Sequence, residues 1–142
     1  MFDIAIERRG GRATGVITIG AAQEIFDPDL SLWNVEDYAQ SWLRAAAHVL
    51  ERGYGRFLVS VCAPGTSPYV CWVCRTRAGE ARLFKSILLG SLTGDFATPR
   101  DGETLEDDYA ERNDERPTLK VLRCSLADIA AFEARLRGGA AN

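Results

Sequence analysis

NVEDYAQSWLRAAAHVLERG, residues 34–53, is the stretch whose reading decides the fold. Tyr38, Trp42, Ala45, Ala46, Val49 and Leu50 recur at the spacing of one helical face. Asn34 is placed to cap the first turn. Asp37 occupies the capping-box position, although its side chain is shorter than the preferred Glu or Gln. Gly53 is placed to end the helix in a left-handed conformation. The aromatic and aliphatic stripe needs a partner surface, and burying it stabilises a domain by several kcal/mol at about 25 cal/mol per Å².

The flanking sequence supplies that surface as β structure. Upstream, FDIAI (2–6) and VITIG (16–20) are β-rich runs around RRGGRATG, whose glycines suit a reversal, so a hairpin is expected. Downstream, RFLVSVC (56–62) ends at APGTSP, and YVCWVCRTR (69–77) ends at Ala78-Gly79-Glu80. ARLFKSILLG (81–90) and PTLKVLRCSL (117–126) complete the set of strands. The short connections favour antiparallel neighbours, because parallel strands need a long crossover. A last helix is expected from about Ser125, with Ile129, Phe132 and Leu136 on one face and a loose tail over 136–142. The expected architecture is a single α+β domain over residues 1–142. It has an antiparallel-rich sheet of about five or six strands, with two main helices packed on it.

Composition agrees with one folded core: 142 residues, 46% hydrophobic and 26% charged. The net charge is only −3, yet it is unevenly spread. Residues 95–116 hold nine acids and three arginines, a local −6, which leaves +3 for the rest of the chain. An acidic segment on a near-neutral body points to a cationic partner, away from nucleic acid and anionic lipid. No apolar run approaches the roughly 20 residues that span a bilayer, and MFDIAIERR does not read as a signal peptide. A cytoplasmic location is therefore expected, with the four cysteines as thiols.

Few residues offer chemistry. CWVC (71–74) has the spacing of a redox pair or half a zinc site. In a strand, however, Cys71 and Cys74 point to opposite faces, and Cys62 and Cys124 form no second close pair. Buried structural cysteines are the favoured reading. His48 is the single histidine, which excludes mechanisms that need two. GGRATG (10–15) lacks the Gly-Lys-Ser/Thr of a phosphate loop. No metal or cofactor is expected.

The conspicuous feature is DGETLEDDYAERNDER, residues 101–116: eight carboxylates against two arginines. On a helix, Asp107, Glu111 and Glu115 would align at four-residue spacing and repel. The pattern opposes its own folding, so it is either a solvated loop or a docking surface. As a docking surface, Asp101, Glu103, Glu106, Asp107, Asp108, Glu111, Asp114 and Glu115 would steer a basic partner, with Tyr109 as an apolar anchor among the charges. A divalent-metal site lacks the spacing of a calcium loop. A small metal- or thiol-dependent enzyme, and a plain adaptor domain with a solubilising loop, are the alternatives.

LWNVEDYAQSWLRAAAHVL (32–50), RFLVSVCAP (56–64), YVCWVCRTRAGEARLFKSILL (69–89) and LKVLRCSLADIAAFEARL (119–136) together resemble the immunity proteins of bacterial contact-dependent growth inhibition (CDI) systems. The resemblance is carried by Tyr38 and Ser41-Trp42 after Trp33, by the Trp72 strand, by the Phe84–Leu89 strand, and by Asp128-Ile129 with Phe132. It covers roughly residues 26–136 and departs at Thr118-Leu119-Lys120, where family members carry Ser-Glu-Trp. The resemblance implies a cytoplasmic, non-enzymatic inhibitor. Its partner would be the C-terminal toxin domain of a cognate system, often a nuclease with a basic cleft. The carboxylates of 101–116 would then stand where nucleic-acid phosphates stand.

Overall fold

The structure is a computed structural model, and it describes residues 1–61, 69–88 and 120–140. The three-stranded sheet is an antiparallel meander of β1 (Phe2–Arg9), β2 (Arg12–Ile19) and β3 (Ala22–Phe26). The helix α1 (Val35–Arg52) follows. A four-stranded antiparallel meander comes next: β4 (Tyr54–Ser60), β5 (Tyr69–Arg77), β6 (Glu80–Leu88) and β7 (Val121–Ser125). The helix α2 (Leu126–Ala140) closes the chain. The α+β class and antiparallel pairing are as expected. The strands divide between two sheets, and β3 adds a strand that the sequence reading did not place.

Local chemistry sets the boundaries. Asn34 and Asp37 close the capping box reciprocally: the Asn34 side chain accepts the Asp37 amide at 2.8 Å, and the Asp37 carboxylate accepts the Asn34 amide at 2.9 Å. Gly53 ends α1 at φ 88°, donating to the Val49 carbonyl at 2.9 Å. The β1–β2 hairpin turns on Gly10 and Gly11, both at positive φ, between the paired Arg9 and Arg12. Ser125 and Asp128 cap α2 by the same reciprocal device as α1. This helix runs through residues 136–140, which the sequence suggested were loose. Leu136 packs against the core there, and Arg137 pairs with Glu133 at 3.3 Å.

Phe2 joins the layers. Its ring lies 4.9 Å from Phe57 on β4 and 5.0 Å from Phe132 on α2. Helix α1 lies close on β4, because a Cβ at Gly55 would come 2.9 Å from the Ala45 carbonyl. Trp42 Nε1 donates to the Leu58 carbonyl at 2.6 Å, satisfying its one polar group in the core. Tyr38, Ser41, Trp42, Ala45, Ala46 and Val49 are buried, while Leu50 stands past Ala46 at the flank of that face and is 39% exposed.

Candidate functional site

Asp101, Glu103, Glu106, Asp107, Asp108, Tyr109, Glu111, Asp114 and Glu115 all lie outside the described residues. They belong to the connection between β6, which ends at Leu88, and β7, which starts at Val121. The two strands are antiparallel neighbours, with Phe84 opposite Val121.

The four-stranded sheet has two unlike faces. Directly paired residues share a face, so register alone sorts them. Gly55, Phe57, Trp72, Cys74, Ala81, Leu83 and Cys124 fall on the face that meets the helices. The opposite face carries Arg56, Arg75, Arg77, Arg82 and Arg123, with Glu80 as its one acid among the described residues. Arg75 pairs with Arg82, and Arg82 with Arg123, so three guanidinium groups form a row across β5, β6 and β7. Glu80 lies 3.6 Å from Arg82 and 3.7 Å from Arg123. Such half-exposed pairs contribute little each. These strands are legible in the sequence, whereas the row across them is not. The signal was the alternation in CRTR (74–77), which sets Arg75 and Arg77 on one side of β5.

Cys62 lies outside the described residues, and the three described thiols are core. Cys71, Cys74 and Cys124 are buried thiols. Cys71 and Cys74 sit on opposite faces of β5, as alternation requires. Burial pushes the Cys74 thiol far up, with Cys124 adding to it. Burial also pushes Cys124 up to about 11, helped by the Asp128 carboxylate. Reactive cysteines have the reverse shift. His48 Nδ1 lies 2.6 Å from the Tyr54 carbonyl, and its ring packs edge-on to Tyr54, joining the end of α1 to β4. Among the described residues, no three His, Cys, Asp or Glu side chains converge as metal ligands. No described helix is long and apolar enough to cross a membrane.

No protein-family model matches the sequence, and no curated protein matches it. The fold does have a counterpart of known structure. It is similar to a chain of the CdiA-CT/CdiI toxin and immunity complex from Enterobacter cloacae, at a TM-score of 0.66 and 18% identity. The match covers 97% of this chain and 99% of that one. The likeness thus extends over both sheets and both helices, and it is a likeness of fold.

Proposed function

We propose that this chain is the immunity member of a contact-dependent growth inhibition pair, which binds and neutralises the C-terminal toxin domain of its cognate system. The observation that carries the reading is the end-to-end similarity to a chain of a toxin and immunity complex, in the fold expected from the sequence resemblance. The burial of Cys71, Cys74 and Cys124 and the structural role of His48 also support an inhibitor that acts by binding alone. On this reading the protein works in the cytoplasm as a non-enzyme.

The proposed docking surface is the acidic stretch: Asp101, Glu103, Glu106, Asp107, Asp108, Glu111, Asp114 and Glu115, with Tyr109 as the anchor. Its partner is a basic toxin surface, of the kind a nuclease uses to hold a polyanion. Concentrated carboxylates accelerate encounter with such a surface, and the aromatic side chain supplies desolvated contact once docked. The test is the triple variant D107K/D108K/E111K. Toxin association slows by about tenfold or more at low salt, and protection weakens, while the isolated protein stays folded. Association and protection equal to wild type would remove the acidic stretch from the interface.

A further inference from the structure

The two sheets leave four edge strands, β1 and β3 in one and β4 and β7 in the other. An open edge presents unpaired N–H and C=O groups and invites another strand. Three of the four are covered within the chain. On β1, Arg135 donates to the Phe2 carbonyl at 2.8 Å. On β4, Trp42 donates to the Leu58 carbonyl, the Tyr38 hydroxyl accepts the Val61 amide, and the register shifts between Leu58 and Ser60. Against β7 lies the β2–β3 turn, close enough that a Cβ at Gly20 would come 2.7 Å from the Arg123 carbonyl.

Strand β3 has no such cover among the described residues, where its backbone bonds only to β2. Ile19 and Ala22 flank the two-residue turn Gly20-Ala21, so they exchange both backbone bonds. Bonded pairs alternate from there. Ala22, Glu24 and Phe26 face β2, while the N–H and C=O groups of Gln23 and Ile25 face outward. The usual guards of an edge, a lysine, a proline or a bulge, are missing from AQEIF. Its one charge, Glu24, shares the buried face with Ile17 and pairs with Lys85 of β6. On the other face Ile25 is 71% exposed, in a row with Val16 and the exposed Ala5.

We propose that this edge pairs with the same edge of a second copy of the chain, antiparallel about a two-fold axis at Ile25. The residues themselves select that occupant and that register. Ile25 opposes Ile25 of the second copy, and the row Ala5–Val16–Ile25 continues unbroken across six strands. Gln23 opposes the exposed Asp27 of the second copy, once on each side of the axis. The Gln23 side chain spends one N–H on Thr18 Oγ1 at 3.3 Å and has its second for that carboxylate. A register centred on Glu24 would set Glu24 against Glu24 in the close, non-bonded pair, where like charges repel. Pro28 has no N–H and ends the pairing after Asp27. Five residues per copy cover less than a standard interface of about 1,600 Å², so the dimer is weak, with a dissociation constant on the order of 100 μM. It forms without toxin, and at nanomolar concentration the chain is monomeric.

Sedimentation equilibrium of the isolated chain from about 10 μM to about 1 mM tests this. The expected result is a monomer–dimer equilibrium that I25K shifts toward monomer by about tenfold or more, with the unfolding midpoint unchanged because position 25 is exposed. The axis also sets position 25 opposite its own copy at a Cα separation of about 5.5 Å, within the roughly 4.4–6.8 Å span of a disulfide. Air oxidation should therefore link I25C into a disulfide dimer and leave wild type and E24C unlinked. A wild-type chain that stays monomeric at about 1 mM, or an I25K variant that dimerises equally well, overturns the proposal. So does protection of the Gln23 and Ile25 amides from hydrogen exchange only when the proposed toxin is bound, which would give the edge to the toxin. The dimer readouts use this chain alone, so their failure leaves the immunity reading standing.

Discussion

The Tyr38 hydroxyl accepts the buried Val61 amide proton at 2.9 Å, joining the first turn of α1 to the end of β4. The same oxygen donates to the Asp29 carbonyl at 2.6 Å, so one group fixes three segments. The ring meanwhile packs edge-on against Trp33 at 5.3 Å. The Tyr38→Phe variant keeps the ring and removes only the oxygen, leaving the Val61 amide buried without its acceptor. The expected loss is about 1–3 kcal/mol in urea unfolding, with an unchanged denaturant slope. A loss below about 0.5 kcal/mol would mean that this amide finds another acceptor.

Asp128 links the start of α2 to the N-terminal residue. Its carboxylate accepts the Ser125 amide at 3.1 Å and the N-terminal ammonium of Met1 at 3.1 Å. The Ser125 hydrogen bond first, and then the ammonium, hold the carboxyl below its ordinary value of 3.8. A depressed folded pKa gives stability that is fully present above 3.8 and lost as pH falls through the folded value. Asp128→Asn should flatten that acid limb of the stability curve, while the neutral-pH cost stays within about 1 kcal/mol because Asn can still cap. An acid limb identical to wild type would show that Asp128 has the same pKa folded and unfolded.

Cys74 and Cys124 should resist alkylation in the native protein. Burial raises both thiols, leaving little thiolate at pH 8, and Cys124 sits at about 11. Peptide mapping after iodoacetamide treatment should find both unmodified in buffer and modified in denaturant. Native labelling of Cys74 at the rate of a free thiol would place it in an accessible site and reopen a redox role for the CxxC pair.

The parts of the fold legible in the sequence are those set by local chemistry. Asn34, Asp37 and Gly53 announce both ends of α1, and YVCWVCRTR is β5 from its first residue to its last. Strand β3 escaped notice because its five residues alternate weakly and leave Ile25 71% exposed. The division into two sheets depends on Phe2 meeting Phe57 and Phe132, contacts between residues far apart in sequence. The arginine row is likewise a product of register, since Arg75, Arg82 and Arg123 come from three strands and no local pattern unites them. The acidic stretch is conspicuous by composition alone and lies outside the described residues.

The most direct measurement is titration of this protein against the product of the adjacent upstream reading frame, the proposed toxin, with toxin activity followed in parallel. The account predicts a one-to-one complex of nanomolar or tighter affinity, in the range of specific standard-sized interfaces, and loss of toxin activity at equivalence. Toxin that remains unbound and fully active in the presence of excess protein would contradict it.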